Sequence, residues 1–333
     1  MRILVTGARS LLLGKVAQIL LERGDEVVCL QRTRAEFAGS DDVMQVLADI
    51  RDTDAVTKAS QNCDAVIHGA AKVGVVGTIN EFRGINVDGT ANVLLACHTN
   101  NVHRFVHVST PSVAHAGSSI VGAIAEPAVV GRKGAFYAET KAIAEQMAIA
   151  ANSSHMGTVA IRPHLVWGPG DEQLVGRIVE RARQGRLVMV GQGSALVDAT
   201  YIDNAVTALV AAVDAAAPGA TCAGRAYVIA NGEPRTVREL MQGICHAADV
   251  PFSPRLVPTS IALKIGSIME SVWPRLRLGE PPLTRFVAEQ LGTAHWFDPR
   301  PARNDLQWAP HVTMDDGFVH LQQWFSAQKT YNR

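Results

Sequence analysis

Short apolar runs alternate with segments of helical apolar spacing through the first 165 residues of the chain. The apolar runs predict buried strands at Ile3–Thr6, Glu26–Leu30, Ala65–His68, Phe105–Ser109 and Val159–Arg162. The spaced segments predict helices at Val16–Arg23, Asp54–Gln61, Asn86–Thr99 and Tyr137–Asn152. Strict alternation of strand and helix is typical of βαβ units, which form a parallel sheet with helices on both faces. The pattern therefore predicts an α/β fold with a doubly wound parallel sheet, whose ligands bind at the carboxyl ends of the strands.

The pattern becomes less regular after Pro169-Gly170. Val197–Ile202 predicts a strand that returns to the sheet region, and Asn204–Ala217 predicts an alanine-rich helix. Residues 233–333 carry most of the late prolines and tryptophans and fit a smaller mixed lobe. The predicted division is a Rossmann domain at 1–170 with returns near 196–217, and a C-terminal substrate-binding lobe at 171–195 and 218–333.

Composition excludes several classes of partner. Lys plus Arg equals Asp plus Glu at 31 each, so there is no electrostatic reason to expect nucleic acid. The five cysteines are widely spaced without a CxxC pair, which argues against a metal site or a disulfide framework. No signal-peptide pattern opens the sequence, and no uncharged apolar stretch approaches the length of a membrane span. We therefore expect free thiols and a cytoplasmic protein.

A strand, a turn and a helix start follow one another between Ile3 and Gly14, the arrangement in which backbone amides bind a pyrophosphate. The usual spacing from Gly7 places glycines at 10 and 13, where this chain has Ser10 and Leu13. Either the loop holds one extra residue and Gly14 takes the third glycine's place, or the run is only a buried strand and turn. We predict a working loop. Its candidate cofactor contacts are Gly7, Arg9, Ser10, Leu12 and Gly14.

The end of the second strand bears on which dinucleotide is bound. A site that prefers NAD has an acidic residue there for the ribose 2′-hydroxyl. Here Val27–Leu30 is followed by Gln31-Arg-Thr-Arg34, without a carboxylate. Arg32 and Arg34 are suited to pair with a 2′-phosphate, and the alternative is two solvated loop arginines. The sequence predicts NADP(H) in preference to NAD(H).

Tyr137 and Lys141 are separated by one helical turn and so share a helix face. A cation near a phenol lowers its pKa, and such a tyrosine exchanges a proton with a carbonyl or alcohol oxygen. Ser109-Thr-Pro-Ser112 follows a strand, where a hydroxyl can polarise a substrate carbonyl. The alternative is that these hydroxyls cap a turn. We predict catalysis by Tyr137 and Lys141 with Thr110 or Ser109, and the pattern leaves the choice of hydroxyl open.

The chain resembles the extended short-chain dehydrogenases/reductases in a series of motifs that stand in the family's order. These motifs are Thr6-Gly7, His68-Gly-Ala-Ala71, Asn86-Val-Asp-Gly-Thr90, Ser109-Thr110, Tyr137-x-x-x-Lys141 and Arg162-Pro163. The resemblance implies that Tyr137 donates the proton, Thr110 or Ser109 polarises the carbonyl and Lys141 bridges to the nicotinamide ribose. The implied cofactor contacts beyond the first loop are Asp49, Ile50, Ala70, Ala71, Lys72, Asn86, Pro163 and Val166. The loop around Gly14 departs from the family pattern.

Within that family the chain is most similar to the 3β-hydroxysteroid dehydrogenase group, and within the group to the 2-alkyl-3-oxoalkanoate reductases of bacterial long-chain olefin biosynthesis. The stretches that look alike are 109–113, 140–146, 162–171, 181–186, 201–205, 231–234 and 279–286. The resemblance implies NADPH-dependent reduction of a long-chain 2-alkyl-3-oxoalkanoate to the 3-hydroxy acid, by a homodimer formed through the helices of Tyr137 and Asn86. The alternatives are a 3β-hydroxysteroid or sterol-type dehydrogenase, a nucleotide-sugar epimerase and a non-catalytic dinucleotide sensor.

A late apolar segment, Thr259–Trp273, predicts a helix that ends at Pro274. Its apolar residues recur at helical spacing, at Ile261, Ile265, Ile268, Met269 and Val272. Such a helix either lines a pocket for long alkyl chains, lies on a membrane surface or a pathway enzyme, or faces the core of the smaller lobe.

Overall fold

The computed structural model describes residues 1–114, 118–131, 135–276 and 285–331. The elements are β1 (Arg2–Thr6), α1 (Leu11–Glu22), β2 (Glu26–Gln31), β3 (Met44–Leu47), α2 (Thr53–Ala59), β4 (Ala65–His68), α3 (Ile79–Arg83), α4 (Gly89–Thr99), β5 (Arg104–Val108), β6 (Ile120–Ala123), α5 (Phe136–Ala150), β7 (Gly157–Pro163), β8 (Val166–Trp167), α6 (Val175–Arg183), β9 (Val188–Val190), β10 (Leu196–Val197), β11 (Thr200–Tyr201), α7 (Ile202–Ala215), β12 (Arg225–Ile229), β13 (Arg235–Thr236), α8 (Val237–Ala247), β14 (Arg255–Val257), α9 (Thr259–Leu276), α10 (Arg285–Gly292), β15 (His295–Phe297), α11 (Arg300–Asp305) and α12 (Met314–Tyr331). A π-helical turn at Gly84–Asp88 leads into α4, and a 3₁₀ turn at Pro111–Val113 follows β5.

Seven parallel strands form the central sheet, in the order β12-β7-β5-β4-β1-β2-β3. The direction of winding reverses between β1 and β4, which is the switch point at which such sheets bind ligands. Thr6 pairs with both Leu30 and His68, and His68 pairs with His107. Because these partners are in register, the loops that follow β1, β2, β4 and β5 all leave the same edge of the sheet.

Apolar side chains on β1 pack on both faces of the sheet. Ile3 and Val5 join a core that contains residues of α1 and α7, whereas Leu4 joins a second core with residues of α2 and α4. A strand that is buried on both faces reads as a continuous apolar run, which is why the sequence pattern identified it. The predicted α/β fold and the five predicted strands are confirmed.

The predicted domain boundaries need correction at two places. β12 lies within 218–333, the range assigned to the smaller lobe, yet it pairs with β7 in the central sheet. Val197–Ile202 does not enter that sheet, because Leu196–Val197 pairs with β13 and β15, and Thr200–Tyr201 pairs with β8. Strand pairing depends on contacts between distant segments, which local periodicity does not encode. The division into two lobes otherwise stays a prediction.

The late helix, α9, runs to Leu276 and so passes through Pro274, where the sequence predicted its end. A proline so near the last turn removes one hydrogen bond without ending the helix. Ala262 is buried, whereas Ile261, Ile265 and Ile268 are exposed, so these three isoleucines do not face a core, which was one of the three alternatives. In the described ranges no helix is long and apolar enough to cross a membrane. Residues 279–284 of the resembling stretch lie outside the described residues.

Candidate active site

The turn after β1 brings two loops of the sheet edge together. Gly7 adopts a positive φ of 84°, and its N–H donates to Leu30 O at 2.9 Å. A Cβ at this position would lie 3.0 Å from both the Cα and the N of Ala70. A side chain would therefore separate the β1 and β4 loops, and a glycine allows their close approach.

The irregular glycine spacing has a structural explanation at the start of α1. Ser10 caps the helix by accepting from Leu13 N at 3.3 Å, and Gly14 lies within the first turn. A Cβ on Gly14 would lie 2.9 Å from Ala8 O, so Gly14 provides the close packing expected of the third glycine. Leu13 is accommodated by Gly69 across the interface, where a Cβ would lie 2.9 Å from a Leu13 methyl.

The other predicted contacts of this loop lie around the same helix N-terminus. Arg9 is exposed and Leu12 is half-buried. The first N–H groups of a helix have no partner within the helix, and they favour an anion at this end. The geometry favours the interpretation that the loop holds one extra residue, and it retains the features of a phosphate site.

Asn86 connects the β4 loop to the helix that carries Tyr137. Its side chain accepts from Lys72 N at 2.7 Å and donates to Lys72 O at 3.0 Å. The same amide donates to Thr140 Oγ1 at 3.0 Å, in α5. Ala70, which precedes this clamp with Ala71, donates its N–H to Thr6 Oγ1 at 3.2 Å. Asn86 therefore holds the loop that the sequence placed beside the dinucleotide.

The two arginines after β2 differ in their environment. Arg34 is paired with Asp41 at 2.6 Å, and both side chains are exposed. Arg32 is exposed and has no ion pair within the described part of the chain. Its positive charge makes a minor contribution to lowering the pKa of the Asp49 carboxyl. Arg32, and not Arg34, therefore remains available to an anion at the sheet edge.

Asp49 and Ile50, the two implied cofactor contacts after the third strand, have partners of their own. Asp49 accepts from Arg51 Nε and Nη2 at 2.8 and 2.9 Å, and these bonds lower the pKa of the carboxyl to about 2. Ile50 is buried against Gly89, where a Cβ would lie 2.6 Å from an Ile50 methyl. Both flank the end of the third strand, and their contact with a cofactor stays a prediction.

Tyr137 lies in the first turn of α5, and its phenol interacts with Thr110. Burial raises the pKa of the phenol to about 12, and a hydrogen bond with the Thr110 side chain opposes that rise. The expectation that Lys141 lowers this pKa is wrong for this structure, because the ammonium is engaged elsewhere. At neutral pH the phenol is protonated, which is the form that donates to an oxyanion.

Lys141 is buried and contacts the end of β5. Its Nζ donates to Val108 O at 2.6 Å and lies 3.1 Å from His107 Nε2. Burial lowers the pKa of the ammonium to about 8, and the charge of Glu145 opposes that decrease. One helical turn therefore brings Lys141 to the site, but its ammonium contacts the strand and not the phenol.

The three candidate hydroxyls differ in what they contact. Thr110 Oγ1 lies 3.1 Å from Ser112 Oγ and interacts with Tyr137, so it also caps the turn as the alternative interpretation expected. Ser109 Oγ is buried and makes no hydrogen bond within the described part of the chain. The structure thus brings Thr110 to the phenol.

Two buried polar groups near Lys141 escaped the sequence-based interpretation. Arg162 Nε and Nη2 donate to the Glu145 carboxylate at 2.8 and 2.5 Å. His107 contacts Lys141 from the strand that precedes Ser109. The available signal was a polar residue within an otherwise apolar strand, a pattern that His68 and His107 share.

The segment after β7 is held in place from two sides. His164 N donates to Ile229 O at 2.9 Å, and His164 Nδ1 lies 2.8 Å from Asp198 O. Val166 pairs with Thr200, whose hydroxyl donates to His164 O at 2.6 Å. Pro163 and Val166 therefore stand at the carboxyl end of β7, beside the loop after β5, and their implied contact with the cofactor stays a prediction.

Known proteins resemble this chain over nearly its whole length. Residues 4–257 match the model of the 3-beta hydroxysteroid dehydrogenase/isomerase family. The chain is 46% identical over 325 residues to a 2-alkyl-3-oxoalkanoate reductase of Stenotrophomonas maltophilia (strain K279a), covering 97% of this chain and 98% of that protein. It is 37% identical over 327 residues to a 2-alkyl-3-oxoalkanoate reductase of Shewanella oneidensis, covering 96% and 84% respectively. Among solved structures, MoeE5 in complex with UDP-glucose and NAD shares the fold, with a TM-score of 0.75 at 21% identity over 99% of this chain and 100% of that one.

Proposed function

The chain belongs to the 3-beta hydroxysteroid dehydrogenase/isomerase family and is an oxidoreductase acting on hydroxyl and keto groups, and we propose that it reduces 2-alkyl-3-oxoalkanoates with NADPH. The product is the 2-alkyl-3-hydroxyalkanoate, as an intermediate of long-chain olefin biosynthesis. The chemistry is supported by the hydrogen bond between the Tyr137 phenol and the Thr110 side chain, after the end of β5. Similarity to the two reductases across nearly the whole chain supports the substrate class.

Each polar group in the site has one role in this reduction. When bound, NADPH supplies the hydride. The Thr110 hydroxyl donates a hydrogen bond to the substrate carbonyl oxygen and polarises it. Tyr137 donates its proton to the developing alkoxide, which is a far stronger base than a phenolate of pKa about 12. Lys141 contributes a buried positive charge and holds the nicotinamide ribose.

The residues at the sheet edge fit a dinucleotide phosphate. The close approach at Gly7, the Ser10-capped helix start and the exposed Arg32 provide donors and positive charge for anionic groups. No carboxylate directly follows Leu30 to repel a 2′-phosphate. These features support NADP(H) over NAD(H).

Arg32→Ala should weaken NADPH binding by roughly 10- to 100-fold while leaving NADH binding nearly unchanged, because a charged hydrogen bond to the 2′-phosphate is lost. Fluorescence titration with both cofactors measures the effect. Arg34→Ala is the matched control, since Arg34 is paired with Asp41, and it should retain the NADPH preference. Equal loss in both variants would contradict the assignment of Arg32.

Steady-state assays distinguish the proposed reaction from its nearest alternative. We expect NADPH to be oxidised with a 2-alkyl-3-oxo acid, and little NAD⁺ to be reduced with a 3β-hydroxysteroid. The family's name gives the steroid reaction its support. Turnover of the steroid alone would replace the proposed substrate and leave the catalytic residues unchanged.

We propose that the protein forms a homodimer through α4 and α5, in the cytoplasm. The two helices pack against each other, and Leu95 on α4 is 54% exposed. The free cysteines Cys29, Cys63, Cys97, Cys222 and Cys245 are buried, which fits a reducing compartment. Sedimentation equilibrium should give twice the 35.6 kDa of one chain, and a monomer mass would contradict the dimer.

We propose that the exposed stripe of α9 binds an anionic lipid surface. Ile261, Ile265 and Ile268 are exposed on one face, and the exposed cations Lys264 and Arg255 complement lipid phosphates.

Replacing all three isoleucines of the α9 stripe with serine should reduce co-sedimentation with vesicles of phosphatidylcholine and phosphatidylglycerol at least roughly tenfold. Val319→Ser is the control, because Val319 is an exposed apolar residue on α12. Unchanged sedimentation of the triple variant would overturn the proposal. Binding of a purified pathway enzyme at the same stripe, without vesicle binding, would replace the lipid by that enzyme.

A further inference from the structure

The Lys141 ammonium is held from the side of the sheet by two acceptors. An ammonium has three donors and no acceptor. Val108 O accepts one N–H at 2.6 Å, and His107 Nε2 accepts a second at 3.1 Å. One N–H remains for the site. Because the ammonium only donates, His107 presents the lone pair of Nε2 and carries its proton on Nδ1.

Burial of the polar His107 ring in β5 costs free energy. The ring is fully buried in β5 and stacks with Phe105, and its centroid lies 5.5 Å from the His68 ring centroid. Its Nδ1 has no hydrogen-bond partner within the described part of the chain. A buried polar atom without a partner destabilises a fold and calls for a functional reason. The contact with Lys141 is the only hydrogen bond of this ring among the described residues, which points to that reason.

We propose that His107 is a positioning residue that holds the Lys141 ammonium, together with Val108 O, so that its remaining N–H is directed to the cofactor and substrate. This inference rests on the proposed role of Lys141. A neutral imidazole is suited to the task, because it accepts a hydrogen bond without neutralising the positive charge. Because the His107 ring is packed against Phe105 and His68, its side chain is held in one conformation.

The charges around this pair favour a neutral His107 and a charged Lys141. Burial, followed by the charge of Lys141, lowers the pKa of His107 well below its ordinary value. His68, from β4, is also neutral, because the same two causes lower its pKa to about 3. Glu145 on α5 favours the ammonium but is itself paired with Arg162 from β7. Tyr137 is the remaining titratable neighbour and is protonated at neutral pH.

The pH dependence of NADPH binding tests the proposal without a substrate. The pKa of Lys141 is about 8, so affinity should fall as the pH rises through that value. His107→Phe removes an acceptor that favours the charged form of Lys141. The pH at which NADPH affinity falls should therefore decrease by on the order of one unit. His107→Gln supplies an amide oxygen as acceptor and should return the pH at which affinity falls to near the parent value.

Thr158→Val is the control for a merely structural effect, because Thr158 is a buried polar residue of the neighbouring strand β7. In this variant NADPH affinity should fall at the same pH as in the parent protein. If NADPH affinity in His107→Phe falls at the same pH as in the parent protein, the proposal is overturned, even if that variant is less stable.

A second measurement separates this proposal from the proposed function. In ¹⁵N-histidine NMR spectra, Lys141→Met should move the His107 nitrogen resonances more than those of His68. That result is expected whether or not the protein reduces a 3-oxo acid. Unmoved His107 resonances would overturn the proposed contact, whereas absent reductase activity with moved resonances would overturn only the function.

Discussion

Tyr137→Phe should bind NADPH with nearly the parent affinity and reduce a 2-alkyl-3-oxo acid roughly 10²- to 10⁴-fold more slowly, the usual worth of a positioned general acid. The phenol hydrogen-bonds with the Thr110 side chain, and its pKa of about 12 keeps it protonated throughout the neutral range. Phenylalanine retains the ring and so the packing of the first turn of α5. Only the hydroxyl, and with it the proton to be donated, is removed, so the loss should fall on turnover and not on cofactor affinity.

Stopped-flow oxidation of NADPH measures the turnover of Tyr137→Phe, and fluorescence titration measures its cofactor affinity. Tyr201→Phe is the matched control: Tyr201 is buried, and its hydroxyl lies 3.3 Å from His320 Nδ1 in the smaller lobe. The control should turn over at nearly the parent rate. Undiminished turnover in Tyr137→Phe would remove Tyr137 from the mechanism.

Arg162→Met should lower the free energy of unfolding by about 3–5 kcal/mol, because it leaves the Glu145 carboxylate buried without its partner. The side chains of Arg162 and Glu145 are only 1% and 3% exposed, and two hydrogen bonds join them. Water cannot replace the guanidinium at such a position. The variant's loss should exceed that of any exposed ion pair in the protein, since those contribute about 0–1 kcal/mol.

Urea denaturation measures this loss, and a double variant provides its control. Glu145→Leu with Arg162→Met removes both charges and should recover most of the lost stability. A single variant as stable as the parent at pH 7 would show that the pair contributes nothing to the fold.

Much of the site was predictable because its parts are local in the sequence. Gly7 follows a strand and precedes a helix, Tyr137 and Lys141 are one turn apart, and Thr110 follows a strand end. Parallel strands collect such loop residues at one sheet edge, so the strand pattern alone predicts that they meet. The choice between Ser109 and Thr110 was not predictable, because it depends on which hydroxyl faces α5.

The electrostatics of the site were predicted less well than its members. Helical spacing placed Lys141 near Tyr137 and suggested a lowered phenol pKa, but the ammonium contacts His107 and Val108, 34 and 33 residues away. Whether a cation acts on its helical neighbour depends on the acceptors that other strands bring to it. Burial then dominates the titration of the phenol.

Periodicity and strand-end motifs were sufficient for the α/β fold, the candidate cofactor loop and the candidate tyrosine and lysine on one helix face, because short-range spacing along one strand or helix encodes them. The packed chain was needed for the partner of Lys141, the pairing of Glu145 with Arg162, the place of β12 in the sheet and the exposure of α9. These features depend on which distant segments share an interface, and on how much water that interface excludes.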